Sequence, residues 1–165
     1  GGNVANGDPG NDMPGLMQCL NATYMLTGPG GSREVAAREF YEAAYFTARE
    51  DDEILTAITI PVPASGTGYA YAKQKRKIGD YATAAAAVMV GPDGASVAMT
   101  NLSDTPVWSQ GAGAALANGD ADGCVAAMLA DIDPQDDMRG PVAFKKHVAA
   151  IVLRRAIDIA MARRS

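Results

Sequence analysis

Apolar positions fall into two blocks, separated by Pro61-Val62-Pro63-Ala64-Ser65-Gly66-Thr67-Gly68, a run that interrupts regular structure. In the first block, Asp12-Met13-Pro14-Gly15-Leu16-Met17-Gln18-Cys19-Leu20 reads as a short helix capped by Asp12, with Pro14 in its first turn. Thr23 to Leu26 reads as a strand, Gly28-Pro29-Gly30-Gly31-Ser32 as a turn, and Arg33 to Ala36 as the returning strand. Ala37 to Tyr45 reads as a short helical stretch. Ile54, Thr56, Ile58 and Ile60 alternate onto one face of a half-buried strand.

The second block opens with Tyr69 to Lys77, where small or aromatic residues alternate with polar ones as in an amphipathic strand. Ala84 to Val90 is a continuous apolar run, closed by Gly91-Pro92-Asp93-Gly94, and Ala95 to Leu102 returns as a strand. These make a three-stranded antiparallel meander. Three helical segments follow, Val107 to Ala117, Asp122 to Ile132 and Ala143 to Arg163. In the last, Phe144, Val148, Ile151, Ala156 and Ile159 approximate one face. Strands and helices in separate blocks give an α+β fold class. The domain division expected is 1–65 and 66–165.

Composition adds limits. The 165 residues are 48% hydrophobic and 20% charged, as in ordinary globular domains. A net charge of -5 argues against nucleic acid as a partner. No apolar run reaches the ~20 residues of a membrane span. Cys19 and Cys124 lie far apart with no metal-ligand spacing, and read as buried or free thiols of a reducing cytoplasm.

Few residues carry chemistry. Gly1-Gly2-Asn3 suits a turn whose main chain approaches an anion closely, with positive φ open to the glycines. A surface turn followed by a helix cap looks the same in sequence. Lys73 opens the basic run Lys73-Gln74-Lys75-Arg76-Lys77; Lys75 and Lys77 suit a solvated strand edge. Lys73 shares its parity with Tyr69 and Tyr71, on the face expected to meet the core. Ile78-Gly79-Asp80-Tyr81-Ala82 demands a turn or bulge, with Tyr81 readable as a core tyrosine. The single histidine, His147, has no catalytic partner at a recognisable spacing. Trp108 reads as a packing anchor, and Met13, Met17 and Met25 as core filler.

The runs Gly1 to Leu20, Phe40-Tyr41-Glu42-Ala43-Ala44-Tyr45, Glu53 to Pro61, Gly68 to Lys73 and Lys75 to Ala84 together resemble the FAD-binding subunit of the molybdenum hydroxylases. Within that family the chain is most similar to the medium, flavoprotein subunit of aerobic carbon monoxide dehydrogenase. The resemblance covers essentially the whole chain in order and is strongest before Val88. It implies a three-domain flavoprotein, of which this chain holds the end of the second domain and all of the third. The first phosphate loop, of Ala-Gly-Gly-His-Ser type, would lie upstream, so the FAD site is expected to be incomplete in residues 1–165.

The resemblance also implies roles. Gly1, Gly2 and Asn3 would hold the pyrophosphate, and Asp12 would bond ribityl or ring atoms. Leu55 would touch the flavin, although a plain core leucine would look identical. Lys73 would stand beside the flavin ring and Tyr81 would shield one of its faces. Independently of the resemblance, Asp80 reads as fixing the turn or pairing with the basic run, and not as a catalytic group. The implied work is electron transfer from iron–sulfur clusters through FAD to an acceptor, with no catalytic acid, base or nucleophile from this chain. The implied partners are an iron–sulfur small subunit carrying 2Fe–2S clusters, a large subunit carrying the molybdenum cofactor, and the N-terminal part of the same subunit. The implied location is the cytoplasm or the inner face of its membrane. Another oxidation substrate (nicotinate, xanthine or an aldehyde) and a non-catalytic docking module stay open.

Overall fold

The computed structural model describes residues 1–164. A one-turn helix, α1 (Gly2–Ala5), leads through a tight loop into α2 (Asp12–Cys19). Strands β1 (Thr23–Gly28), β2 (Gly31–Ala36) and β5 (Ile54–Thr59) form an antiparallel sheet in the order β2-β1-β5. Strands β3 (Tyr41–Ala43) and β4 (Phe46–Thr47) make a separate hairpin. The second sheet is antiparallel, β6 (Gly68–Gln74), β7 (Ala84–Gly91), β8 (Gly94–Thr100) and β9 (Val107–Trp108), in chain order. Helices α3 (Gln110–Ala117), α4 (Ala121–Asp131) and α5 (Val142–Ala162) complete the chain. The α+β class and the meander expected from sequence are both present. No helix among the described residues is long and apolar enough to cross a membrane.

Four local expectations are corrected. Ala37 to Tyr45 is not helical: it holds a turn and β3. Ala37 and Phe40 are drawn into the first core, where Phe40 meets Tyr24 edge-on at 4.9 Å and Tyr41 at 5.1 Å. Ile54 to Ile60 does not keep one buried face. The pairing slips between Met25↔Ala57 and Leu26↔Leu55, so Thr56 bulges, and Leu55 and Ile58 pack inward while Ile54 stays exposed. Val107 and Trp108 are a fourth strand, not the first turn of a helix; Ser109 ends that strand and caps α3 through Ala112 N at 3.0 Å. On α5 the buried stripe runs through Val148, Val152, Leu153, Ala156 and Ile157, while Phe144 and Ile151 are exposed.

The apolar run of β7 follows from burial on both faces. Ala84, Ala86, Val88 and Val90 pack toward α5, and Ala87 packs toward α2 with Cys19 and Ala98. The parity of β6 is therefore opposite to expectation. Gly68, Ala70 and Ala72 face α5, because only small residues let the helix come so close; a Cβ on Gly68 would collide with the Ala160 carbonyl. Tyr69, Tyr71 and Lys73 take the other face, toward α2.

Candidate functional site

The start of α2 meets the ends of β6 and β8. Asp12 is the first residue of α2 and not its cap; Asn11 holds the cap position, without a side-chain capping bond. Asn11 instead donates its amide to the Asn3 carbonyl at 3.0 Å, tying α1 to α2. The Asp12 carboxylate accepts from the Lys73 ammonium across 61 residues of chain. A carboxylate at a helix N-terminus is further favoured by the helix dipole. Both side chains keep about a third of their surface exposed, 37% and 32%. Gly15 makes the approach possible: a Cβ there would collide with the Thr100 methyl group. Beside the pair, the Tyr71 hydroxyl is buried without a hydrogen-bond partner. Burial, and then the Asp12 carboxylate, raise its pKa well above the usual phenol range.

Tyr81 reaches the same loop from the second sheet. Its hydroxyl donates to Asp8 Oδ2 at 2.8 Å, and Asp8 Oδ1 accepts from Gly10 N at 2.8 Å. The Asp8 carboxylate raises the Tyr81 phenol. The ring lies against Gly10, and the Arg139 guanidinium stands 5.7 Å from its centroid. At 47% exposure Tyr81 is not a core tyrosine. Asn101, at φ 70°, sits between the carbonyls of Gly10 and Ala82; with its side-chain amide turned so that the nitrogen faces them it donates to both, at 3.2 Å and 3.1 Å, and accepts from Thr100 Oγ1 at 3.0 Å.

Gly1, Gly2 and Asn3 are exposed at the start of α1. Gly2 is helical and does not take positive φ; the left-handed residue in this segment is Gly7, at φ 65°, where a Cβ would come within 2.8 Å of Thr47 Cγ2. Leu55 lies in a different place, half-buried in the first core with Tyr24, Leu26 and Val4 of α1. The structure thus joins Asp12 with Lys73, and Tyr81 with the loop between α1 and α2, while Leu55 stands behind α1. Asp8, Asn101 and Arg139 escaped sequence reading. Gly7-Asp8-Pro9-Gly10 has the composition of an ordinary turn, and the burial that singles out Asp8 is not visible in sequence.

Other candidates take structural places. His147 is exposed on α5. Trp108 stacks under Arg38 at 3.8 Å and donates to Ser96 Oγ at 3.1 Å, bracing the two sheets. Met17 is core, but Met13 is exposed. Cys19 and Cys124 are free and buried, and burial pushes their thiols up to about 12 and about 11. Among the described residues no group of three or more His, Cys, Asp or Glu could hold a metal ion.

The FAD binding domain in molybdopterin dehydrogenase matches residues 1–63, and the CO dehydrogenase flavoprotein C-terminal domain matches residues 69–160. The chain belongs to the CO dehydrogenase flavoprotein family. It is 55% identical to the carbon monoxide dehydrogenase medium chain of Afipia carboxidovorans, over 99% of this chain and 60% of that protein. It is 37% identical to the medium chain from Hydrogenophaga pseudoflava, again over 99% and 60%. The crystal structure of a Cu,Mo-CO dehydrogenase in its cyanide-inactivated form contains a chain that superposes with a TM-score of 0.95 at 54% identity, covering 99% of this chain and 60% of that one. The chain therefore spans about three fifths of the length of these CO dehydrogenase flavoproteins.

Proposed function

We propose that this chain is the pyrophosphate- and ring-binding part of a flavoprotein subunit that relays electrons in a molybdenum-dependent carbon monoxide dehydrogenase. The observation that carries the reading is the pairing of Asp12 with Lys73, one from each matched region, at a partly exposed seam. In this reading residues 1–65 end the FAD-binding domain and 66–165 are the C-terminal domain.

The residues fit FAD. Gly1 caps α1 without a side-chain bond, and the space where Cβ atoms of Gly1 and Gly2 would stand is open. Val4 N and Ala5 N bond the Gly1 carbonyl, which leaves the Gly2 and Asn3 N–H groups to suit phosphate oxygens. Gly1, Gly2 and Asn3 would thus bind the pyrophosphate. Asp12 and Lys73 would orient the polar edge of the ring and the ribityl chain. Tyr81 would cover one ring face and exclude water. Leu55 would support the wall behind α1. FAD, when bound, supplies the electron-carrying chemistry, and the protein tunes it by charge and hydrogen bonds. The iron–sulfur and molybdenum centres would belong to a small and a large partner subunit, and electrons would leave to an external acceptor.

The test is the full-length subunit co-purified with its partners. A visible flavin spectrum and reduction of an acceptor dye on adding carbon monoxide are expected. A flavin-free complex overturns the flavin reading. A flavin-bearing complex that ignores carbon monoxide but oxidises another substrate overturns only the choice of substrate.

A further inference from the structure

We infer that Asp8 is a positioning residue for Tyr81, holding its ring where a planar cofactor is covered; the inference rests on the flavin reading above. Asp8 occupies the loop between α1 and α2, just before Pro9, whose ring fixes its own φ. One carboxylate oxygen is committed to Gly10 N at 2.8 Å, which fixes the plane of the group. The other receives the Tyr81 hydroxyl at 2.8 Å, 73 residues further along the chain. Asp8 is only 9% exposed, and a carboxylate so far from water is costly unless its oxygens are bonded. An O–H to carboxylate bond is among the stronger hydrogen bonds available.

Tyr81 has the opposite environment. It is 47% exposed and follows a turn with Gly79 at φ 83° and Ile78 at 93% exposure. Burial therefore does not fix its ring. Gly10 supports the ring from one side and the Arg139 guanidinium stands 5.7 Å from its centroid, a loose contact, and nothing apolar encloses it. Its rotamer depends on the bond at its tip. A ring held before the cofactor arrives spares the ordering cost at binding. Asp8 thus acts on the cofactor through Tyr81, without touching it.

The experiment uses the assembled, full-length protein and reads two quantities, the FAD dissociation constant and the fluorescence of bound flavin, which a stacked tyrosine quenches. Asp8→Ala and Tyr81→Phe should each weaken FAD about tenfold, the size of one hydrogen bond to a charged group. Asp8→Ala should also brighten the flavin, since the ring leaves its place; Tyr81→Phe removes the quenching phenol itself, so affinity is the readout for that variant. The double variant should lose no more than either alone, because both delete the same bond. Asp8→Glu should recover part of the quenching. Additive losses, or tighter FAD binding in Asp8→Ala, overturn the inference. If Asp8→Ala does not fold, Tyr81→Phe decides: it removes the bond and leaves the buried carboxylate in place, and unchanged affinity overturns the inference. Tyr81→Ala separates the two levels. If it changes neither quantity, Tyr81 does not cover a flavin and the ring assignment falls too. If it weakens FAD while Tyr81→Phe leaves affinity unchanged, only the inference about Asp8 falls.

Discussion

Lys73 donates to the carboxylate of Asp12, joining the end of edge strand β6 to the first residue of α2. A lysine beside a flavin ring would stabilise the negative charge that reduction brings. Here that lysine is already opposed by a carboxylate, so the ring would feel a dipole and not a bare cation.

The pairing makes opposite predictions for its two members. Lys73→Met should lower the potential of bound flavin, because it leaves the Asp12 charge unopposed. Asp12→Asn should raise it, because it frees the ammonium. A coupling of ~1 kcal/mol corresponds to about 20 mV for a two-electron couple. Spectroelectrochemical titration of both variants measures the shifts; shifts of the same sign would place the pair away from the ring.

Gly2→Val should weaken FAD retention without altering the fold. Nothing in the chain lies within 4 Å of a Cβ at Gly2, so the substitution costs little locally. Its bulk would fall where phosphate oxygens approach the α1 amides. Calorimetric FAD binding alongside thermal unfolding checks both halves; full FAD affinity would make the α1 turn a bystander.

Much of this molecule is legible in its sequence because local chemistry and packing agree. The Gly91 to Gly94 turn, the Ala84 to Val90 strand and the existence of the three C-terminal helices all declare themselves. The failures share one cause, which is that tertiary burial sets the face and sometimes the element. Lys73 was placed with the tyrosines of β6 correctly, but those tyrosines face α2 because alanines suit the close approach of α5. Ala37 to Tyr45 has helical residues but is pulled into a turn by the burial of Phe40. Asp8 is invisible because its partner is 73 residues away.

Gly68→Ala should be among the more damaging small substitutions in the chain. The added methyl would meet the Ala160 carbonyl, and neither strand β6 nor helix α5 can yield without opening the second core. Overpacking of this kind costs about 1–3 kcal/mol. Chemical denaturation should show a lower midpoint at unchanged slope. Gly30→Ala is the control, since a Cβ there would meet nothing within 4 Å.

Cys19 and Cys124 should resist thiol reagents in the native protein. Their burial disfavours the thiolate, with values of about 12 and about 11. Only the thiolate reacts at an appreciable rate. Labelling should therefore track unfolding, and rapid modification of either thiol under native conditions would contradict the packing described.

The last prediction concerns acid. Arg33 grips Glu53 with two bonds of 2.7 Å, and Glu53 also accepts from Glu50 N at 2.8 Å. These bonds, the Arg33 pair first, hold the Glu53 carboxyl at about 2, below its ordinary 4.5. The unfolded chain therefore takes up this proton before the folded one does. The stabilisation is complete above the unfolded value and is lost as pH falls from about 4.5 toward about 2. Arg33 is exposed while Glu53 keeps only 11% of its side-chain surface, so salt should shrink the effect only in part. Glu53→Gln removes the titrating group, and its stability should decline less steeply than wild type across that window. A carboxyl-carbon NMR titration reads the group directly; a Glu53 midpoint near 4.5 would mean that the Arg33 contact does not persist in solution.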